Sequence, residues 1–208
     1  MAKIKLTKNE QKRQKDQLKQ FERYLPTLQL KKQQLQMVIR QIEAEVETLH
    51  EKQQALVRNL QSWVAVYHEN ILFEEEKRLN NLIVVDKVVR GEGNIAGVTI
   101  PIFEELIFQD IEWDLKAYPL WVDRGIESLR DVARFDAMVA TLERQIELLG
   151  IELRTTSQRV NLFEKVKIPE TKENLRRIAI YLGDQQTAAV VTGKIAKKKL
   201  LRGGVAWL

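Results

Sequence analysis

Residues 18–67 read LKQFERYLPTLQLKKQQLQMVIRQIEAEVETLHEKQQALVRNLQSWVAVY. Within this stretch Leu18, Phe21, Leu25, Leu28, Leu35, Ile39, Ile42, Val46, Leu49, Leu56, Leu60, Trp63 and Tyr67 recur at steps of three and four, with Lys32 and Gln53 as the polar occupants of the same track. Thirteen of the fifteen positions are apolar, where a chain that is 44% hydrophobic would place about seven by chance. A 3–4 repeat held this long under-winds a helix to 3.5 residues per turn and keeps one stripe facing a partner. Pro26 falls inside the run. Its missing N–H and its ring predict a kink in the first third of the helix.

A second track passes through Val132, Phe135, Val139, Leu142, Ile146, Leu149, Leu153, Thr156, Val160 and Phe163, nine of ten positions being apolar. Pro119 is placed to open this helix, whose first turn does not need the absent N–H. Pro169 follows Ile168 and is expected to bend or restart the helix, after which Leu175, Ile178 and Leu182 continue an apolar face in shifted phase. Turn formers are scarce: nine Gly and four Pro in 208 residues, with no Gly before Gly91. Such a chain cannot supply the many tight turns of a sandwich, barrel or doubly wound fold. The expected fold is mainly α, an elongated antiparallel coiled coil of the N- and C-terminal helices. Its expected divisions are an N-terminal helix over 1–80, an insert over 81–116, a C-terminal helix over 117–195 and a basic tail over 196–208.

The insert breaks the helical period. Leu82, Ile83, Val84, Val85, Val88 and Val89 precede Arg90-Gly91-Glu92-Gly93-Asn94, and Ile95 to Phe103 follow. Two β-branched runs around a Gly/Asn cluster predict a hairpin that turns there. Val98, Ile100 and Ile102 share one face of it at period two, and because a lone hairpin is marginal in water they are expected to lie against the helices or a partner. Glu74, Glu75 and Glu76 just before it read as a solvated helical face.

The net charge of +5 is unevenly placed. Residues 1–20 hold seven basic residues against Glu10 and Asp16, and residues 194–208 hold Lys194, Lys197, Lys198, Lys199 and Arg202 with no acid. In an antiparallel pair these two basic ends come together, so Lys197, Lys198, Lys199 and Arg202 are candidate contacts to an anionic surface. No Cys is present, which excludes disulfides and thiolate chemistry. No apolar run is long enough to span a bilayer, and Met1-Ala-Lys-Ile-Lys-Leu6 leads into no secretory apolar segment. A cytoplasmic setting is expected.

The motifs that could carry chemistry are incomplete. Gly91-Glu-Gly93-Asn-Ile-Ala96 matches a dinucleotide fingerprint, but Gly97-Val-Thr-Ile-Pro101 follows where a helix N-terminus must receive the pyrophosphate. Gly193-Lys194 lacks the first glycine and the hydroxyl of a phosphate loop, since Ala188 and Ile195 stand there. His50 and His68 have no partner at ligand spacing. Trp63, Trp113, Trp121 and Trp207 read as packing residues. No catalytic, cofactor or metal site is expected.

Three stretches resemble a known family. Asn94-Ile-Ala-Gly97-Val-Thr-Ile-Pro101 is similar to the hairpin segment of the D subunit of the V-type rotary ATPases. Arg159-Val160-Asn161-Leu-Phe-Glu164, then Ile168-Pro169 and Glu173-Asn-Leu-Arg176, resembles the signature of its C-terminal helix. Leu28-Gln-Leu-Lys-Lys-Gln-Gln-Leu35 is similar to its N-terminal helix. The resemblance implies a non-catalytic central-stalk rotor subunit that transmits torque between the catalytic head and the ion-translocating membrane ring. It thereby implies coupling of ATP synthesis or hydrolysis to H+ or Na+ transport at the cytoplasmic face of the membrane. The implied partners are the nucleotide-binding A and B subunits of the head, the small F subunit of the stalk and a socket subunit on the ring, without nucleic acid or membrane insertion. After Tyr181 the chain departs from the family's acidic helix with Leu182-Gly-Asp-Gln-Gln-Thr-Ala-Ala-Val-Val-Thr-Gly193, and the helix is expected to fray near Gly183, Gly193, Gly203 and Gly204. Heptads with basic ends would also suit a coiled-coil tether or adaptor on an anionic surface. The hairpin and the Arg159–Pro169 block are what such a tether has no reason to contain.

Overall fold

The structure is a computed structural model that describes residues 4–61, 79–112, 118–119 and 121–203. Trp63, Tyr67, His68, the Glu74–Glu76 run, Trp113, Gly204 and Trp207 lie outside the described residues, as does the side chain of Arg202. Helix α1 spans Lys8–Gln61, strand β1 Val85–Ile95, strand β2 Val98–Phe108, helix α2 Val122–Leu162 and helix α3 Ile168–Gly203. A short 3-10 turn occupies Leu79–Leu82 and a π-helical turn, Phe163–Lys167, joins α2 to α3. The chain divides into two compact units, Lys31–Thr155 and Met1–Leu30 with Thr156–Leu208.

Helix α1 is 54 residues long, about 81 Å at 1.5 Å per residue. Thr7 caps it: its Oγ1 accepts the Glu10 N–H at 3.3 Å and its carbonyl accepts that of Gln11 at 3.0 Å. The helix continues through Pro26. Its inward face is the expected track, with Leu35 and Ile42 buried and Leu18, Phe21, Leu25, Leu28, Ile39, Val46, Leu49, Leu56 and Leu60 half-buried. Helix α2 starts three residues beyond Pro119, not on it. The Pro119 carbonyl accepts the Val122 N–H at 3.0 Å, so the proline supplies an acceptor ahead of the first turn.

In the unit Lys31–Thr155, α1 and α2 run antiparallel. Lys31 pairs with Glu152 at 2.6 Å, and further along Gln53 donates to Asp136 at 2.6 Å. Leu35 and Ile42 of α1 and Leu149 of α2 form a core with Ile100 of β2, joined by Val38, Ile39, Leu142, Ile146, Leu153, Ile95, Ala96 and Val98. A smaller cluster gathers Leu82, Val122 and Ile126, with Trp121 packed against it as expected.

The hairpin turns at Ala96 and Gly97, three residues beyond Gly93. Ala96 and Gly97 both have positive φ, 51° and 81°, in the two-residue loop whose twist suits a hairpin. The side chain of Asn94 closes it by accepting the Gly97 N–H at 3.0 Å. Gly91 and Gly93 instead lie within β1, opposite Ile102 and Ile100. A Cβ on Gly93 would meet the Ile102 Cδ1 at 2.7 Å, so this glycine serves close approach, not turning.

In the other unit, Phe21 and Phe163 pack with ring centroids 5.3 Å apart and planes tilted by 46°, and Lys172 reaches Glu22 at 3.2 Å. Thr156, Val160, Thr171 and Ile178 are buried on the same helical face. The expected fraying at Gly183 and Gly193 does not occur, and α3 runs unbroken to Gly203. Ala188, Ala189 and the Lys197–Leu201 run favour helix enough to offset about 1 kcal/mol per interior glycine.

Candidate partner-binding surfaces

Beyond Leu182, α3 changes character. Every described side chain from Gly183 to Leu201 is exposed, including Val190, Val191 and Ile195, while Leu200 and Leu201 are 77% and 66% open. Asp184 is the last acid of the chain. Lys197, Lys198 and Lys199 are consecutive, so at 100° per residue they spread around the helix instead of lining one side. With Lys194 and the apolar residues between them, they make a cationic and apolar collar. Such a collar is complementary to a partner that surrounds it, and poorly matched to a flat surface.

The hairpin is held inside its own unit. Of the three residues proposed for partner contact, Ile100 is buried and Val98 half-buried in the core, and Ile102 alone stands 44% exposed. Further toward its base the hairpin meets α2 through polar groups. Gln145 donates its amide to the Pro101 carbonyl, Arg90 donates Nε–H to the Thr141 Oγ1 at 3.3 Å, and the guanidinium groups of Arg130 and Arg134 lie over the Phe108 ring at 5.3 and 5.7 Å. Sequence reasoning missed these contacts. The available signal was Thr141 and Gln145, two polar residues four apart beside the α2 seam, both buried.

The motif residues fall at three structural tasks. Asn94 and Gly97 make the hairpin turn, and Pro101 offers the carbonyl that ties β2 to α2. Val160 is buried in the seam, while Arg159, Asn161 and Glu164 are exposed beside the π turn and Pro169 lies just past it. The Ile168 N–H donates to the Phe163 carbonyl, five residues back, which defines that turn. A little beyond, the Glu173 carboxylate is held at about 2, well below the ordinary range, by hydrogen bonds from Arg176 and then Arg177.

Among the described residues no group of three or more His, Cys, Asp or Glu could hold a metal ion, and no helix is long and apolar enough to cross a membrane. A family model for the D subunit of ATP synthase matches residues 10–198. That match spans both helical tracks and the hairpin between them. The chain belongs to the ATP synthase D-subunit family. Among relatives, the V-type ATP synthase D subunit of Borreliella burgdorferi is 54% identical over 202 residues, covering 97% of this chain and 97% of that protein. The protein of the same description from Chlamydia muridarum is 32% identical over 200 residues, covering 96% and 97%. The relative from Chlamydia caviae is 31% identical over 199 residues, covering 96% of this chain and 94% of its own length.

Proposed function

We propose that this chain is the rotor shaft of a V-type ATPase or ATP synthase, a non-catalytic subunit that carries torque between the catalytic head and the ion-translocating membrane ring. In this role it couples ATP synthesis or hydrolysis to H+ or Na+ transport from the cytoplasmic face of the membrane, as a peripheral part of the complex. The observation that carries the reading is the far half of α3, a helix whose cations and apolar side chains point all round and are covered by none of the described residues. A socket in the head formed by the A and B subunits would enclose it, and the F subunit and the ring's socket subunit would bind elsewhere along the chain. Two helices with interlocked seams resist twisting better than one, which is the mechanical demand on a shaft. Packing supplies that stiffness without any nucleotide site. Ile102, the open member of the hairpin trio, is the residue there that this reading offers to a partner.

Purification of the tagged full chain from its native membranes tests the assignment. The expected result is one copy per complex, with two kinds of large nucleotide-binding subunit and a small stalk subunit. Recovery as a lone homodimer would favour a coiled-coil tether. Replacing Lys197, Lys198, Lys199 and Arg202 by Gln should weaken assembly with the head. The loss should depend on salt, because a charge contact reaches only about 8 Å at physiological ionic strength.

A further inference from the structure

The inward track of α2 and α3 contains one irregular step. Val139, Leu142, Ile146, Leu149, Leu153, Thr156, Val160 and Phe163 alternate steps of three and four, and Ile168, Thr171, Leu175, Ile178 and Leu182 do the same. All of them are buried or half-buried. Between Phe163 and Ile168 the step is five, one residue more than a heptad allows. An extra residue in a helix either swings the stripe away by about 100° or is absorbed in one widened turn. Here it is absorbed. The Ile168 N–H bonds the Phe163 carbonyl, and Glu164, Lys165, Val166 and Lys167 are all exposed. Pro169 then contributes no N–H at the start of α3.

The facing helix is irregular about one turn away. Pro26 has no N–H for the carbonyl of Glu22, four residues back. Phe21 touches Phe163 and Glu22 touches Lys172, so the segment holding the π turn and Pro169 lies beside the turn of α1 that leads into Pro26. Bending a helix pair lengthens backbone hydrogen bonds on its convex side. Resistance is lowest where interruptions of the two ladders lie within about a turn of each other. Among the described residues, no other level of these helices contains an interior proline or a π turn.

We propose that this level is a built-in hinge: the one-residue skip at Phe163–Ile168 and the proline at position 26 concentrate bending of the helix pair at one place, with the Phe21–Phe163 contact as its pivot. The geometry stands without reference to function. Its use, as a compliant point in a turning shaft, rests on the rotor reading.

The chain has no cysteine of its own, so spin labels can be placed singly. Labels at Gln158→Cys and Gln186→Cys, both exposed and 28 residues apart, flank the π turn. The comparison is with the same labelled chain carrying a deletion of Lys165 together with Pro169→Ala. The deletion restores steps of three and four throughout, and the alanine removes a proline that would otherwise fall inside a continuous helix. Electron–electron distance measurements on the isolated full chain should give a distribution on the order of half as wide in the variant. Equal widths would overturn the hinge. Where the variant loses helicity, hydrogen exchange on the parent chain decides. Amides of 163–168 should exchange about tenfold faster than those of 156–160 and 171–178, and equal protection would overturn it. Neither measurement involves the assembled complex, so failure of the hinge and failure of the rotor reading are separate results.

Discussion

Residues 35–42 of α1 and 184–203 of α3 are both helical and both carry aliphatic side chains, but the first are helical because they are packed. Leu35 and Ile42 close a core with Leu149 and Ile100, whereas Val190, Val191, Ile195, Leu200 and Leu201 stand exposed. The far half of α3 is helix through propensity and continuation. The packed turns of Thr171, Leu175 and Ile178 provide the nucleus, so each further residue adds a hydrogen bond without a new nucleation cost. The difference teaches that apolar residues on a helix have two destinies in this molecule. One kind holds the chain together, and the other is available to something outside it.

The sharpest way to break that distinction is to truncate one residue from each region. Leu149→Ala should destabilise the full chain by about 2–5 kcal/mol in denaturant unfolding, since it removes a fully buried side chain and leaves a cavity. Leu200→Ala should change stability by no more than about 0.5 kcal/mol. Comparable losses would mean that the far half of α3 packs against the chain after all.

The next comparison sets the hairpin turn against a helix interior. Gly97→Ala places a Cβ in open space but at a φ of 81°, so its cost is conformational, about 1–2 kcal/mol. Gly150→Ala, in the interior of α2 with nothing within 4 Å of the new Cβ, should instead stabilise by about 0.5–1 kcal/mol. Thermal unfolding of the two variants reads both signs. Equal effects of the two substitutions would show that backbone conformation does not distinguish these glycines.

The smallest effect concerns the charged surface of the packed half of α3. Glu173 has its carboxylate pKa lowered to about 2 by Arg176 and Arg177, so it contributes stability that is present above the ordinary carboxylate range and lost as pH falls toward 2. Glu173→Gln should therefore be slightly less stable than the parent at neutral pH, with the two curves converging below pH 4.5 and meeting near 2. A difference unchanged down to pH 2 would remove the ionic explanation.

The helical seam was legible because packing leaves a period in the sequence: Leu18 to Leu60 and Val139 to Phe163 point inward where the 3–4 steps place them. The hairpin was legible in kind but displaced in position. Gly91 and Gly93 look like turn formers, yet they stand in β1 so that the Ile102 and Glu104 side chains can cross it, and the turn belongs to Ala96 and Gly97. The phase shift after Pro169 was visible as a shift, but the π turn that produces it is a backbone event with no residue signature of its own. Thr141 and Gln145 were unreadable for another reason. A polar residue next to a seam looks like surface until a third element, here the hairpin, covers it. The candidate surface on α3 looks in sequence like a fraying tail; its cations are legible there, and the helix that arrays them around an axis is not.

The rotor claim itself is tested most directly by watching the chain turn. A bead attached through a single engineered cysteine on the full chain, in the complete complex with the head fixed to glass, should rotate in one direction when ATP is supplied and stop when it is removed. A bead that stays still while the same complexes hydrolyse ATP would contradict the account.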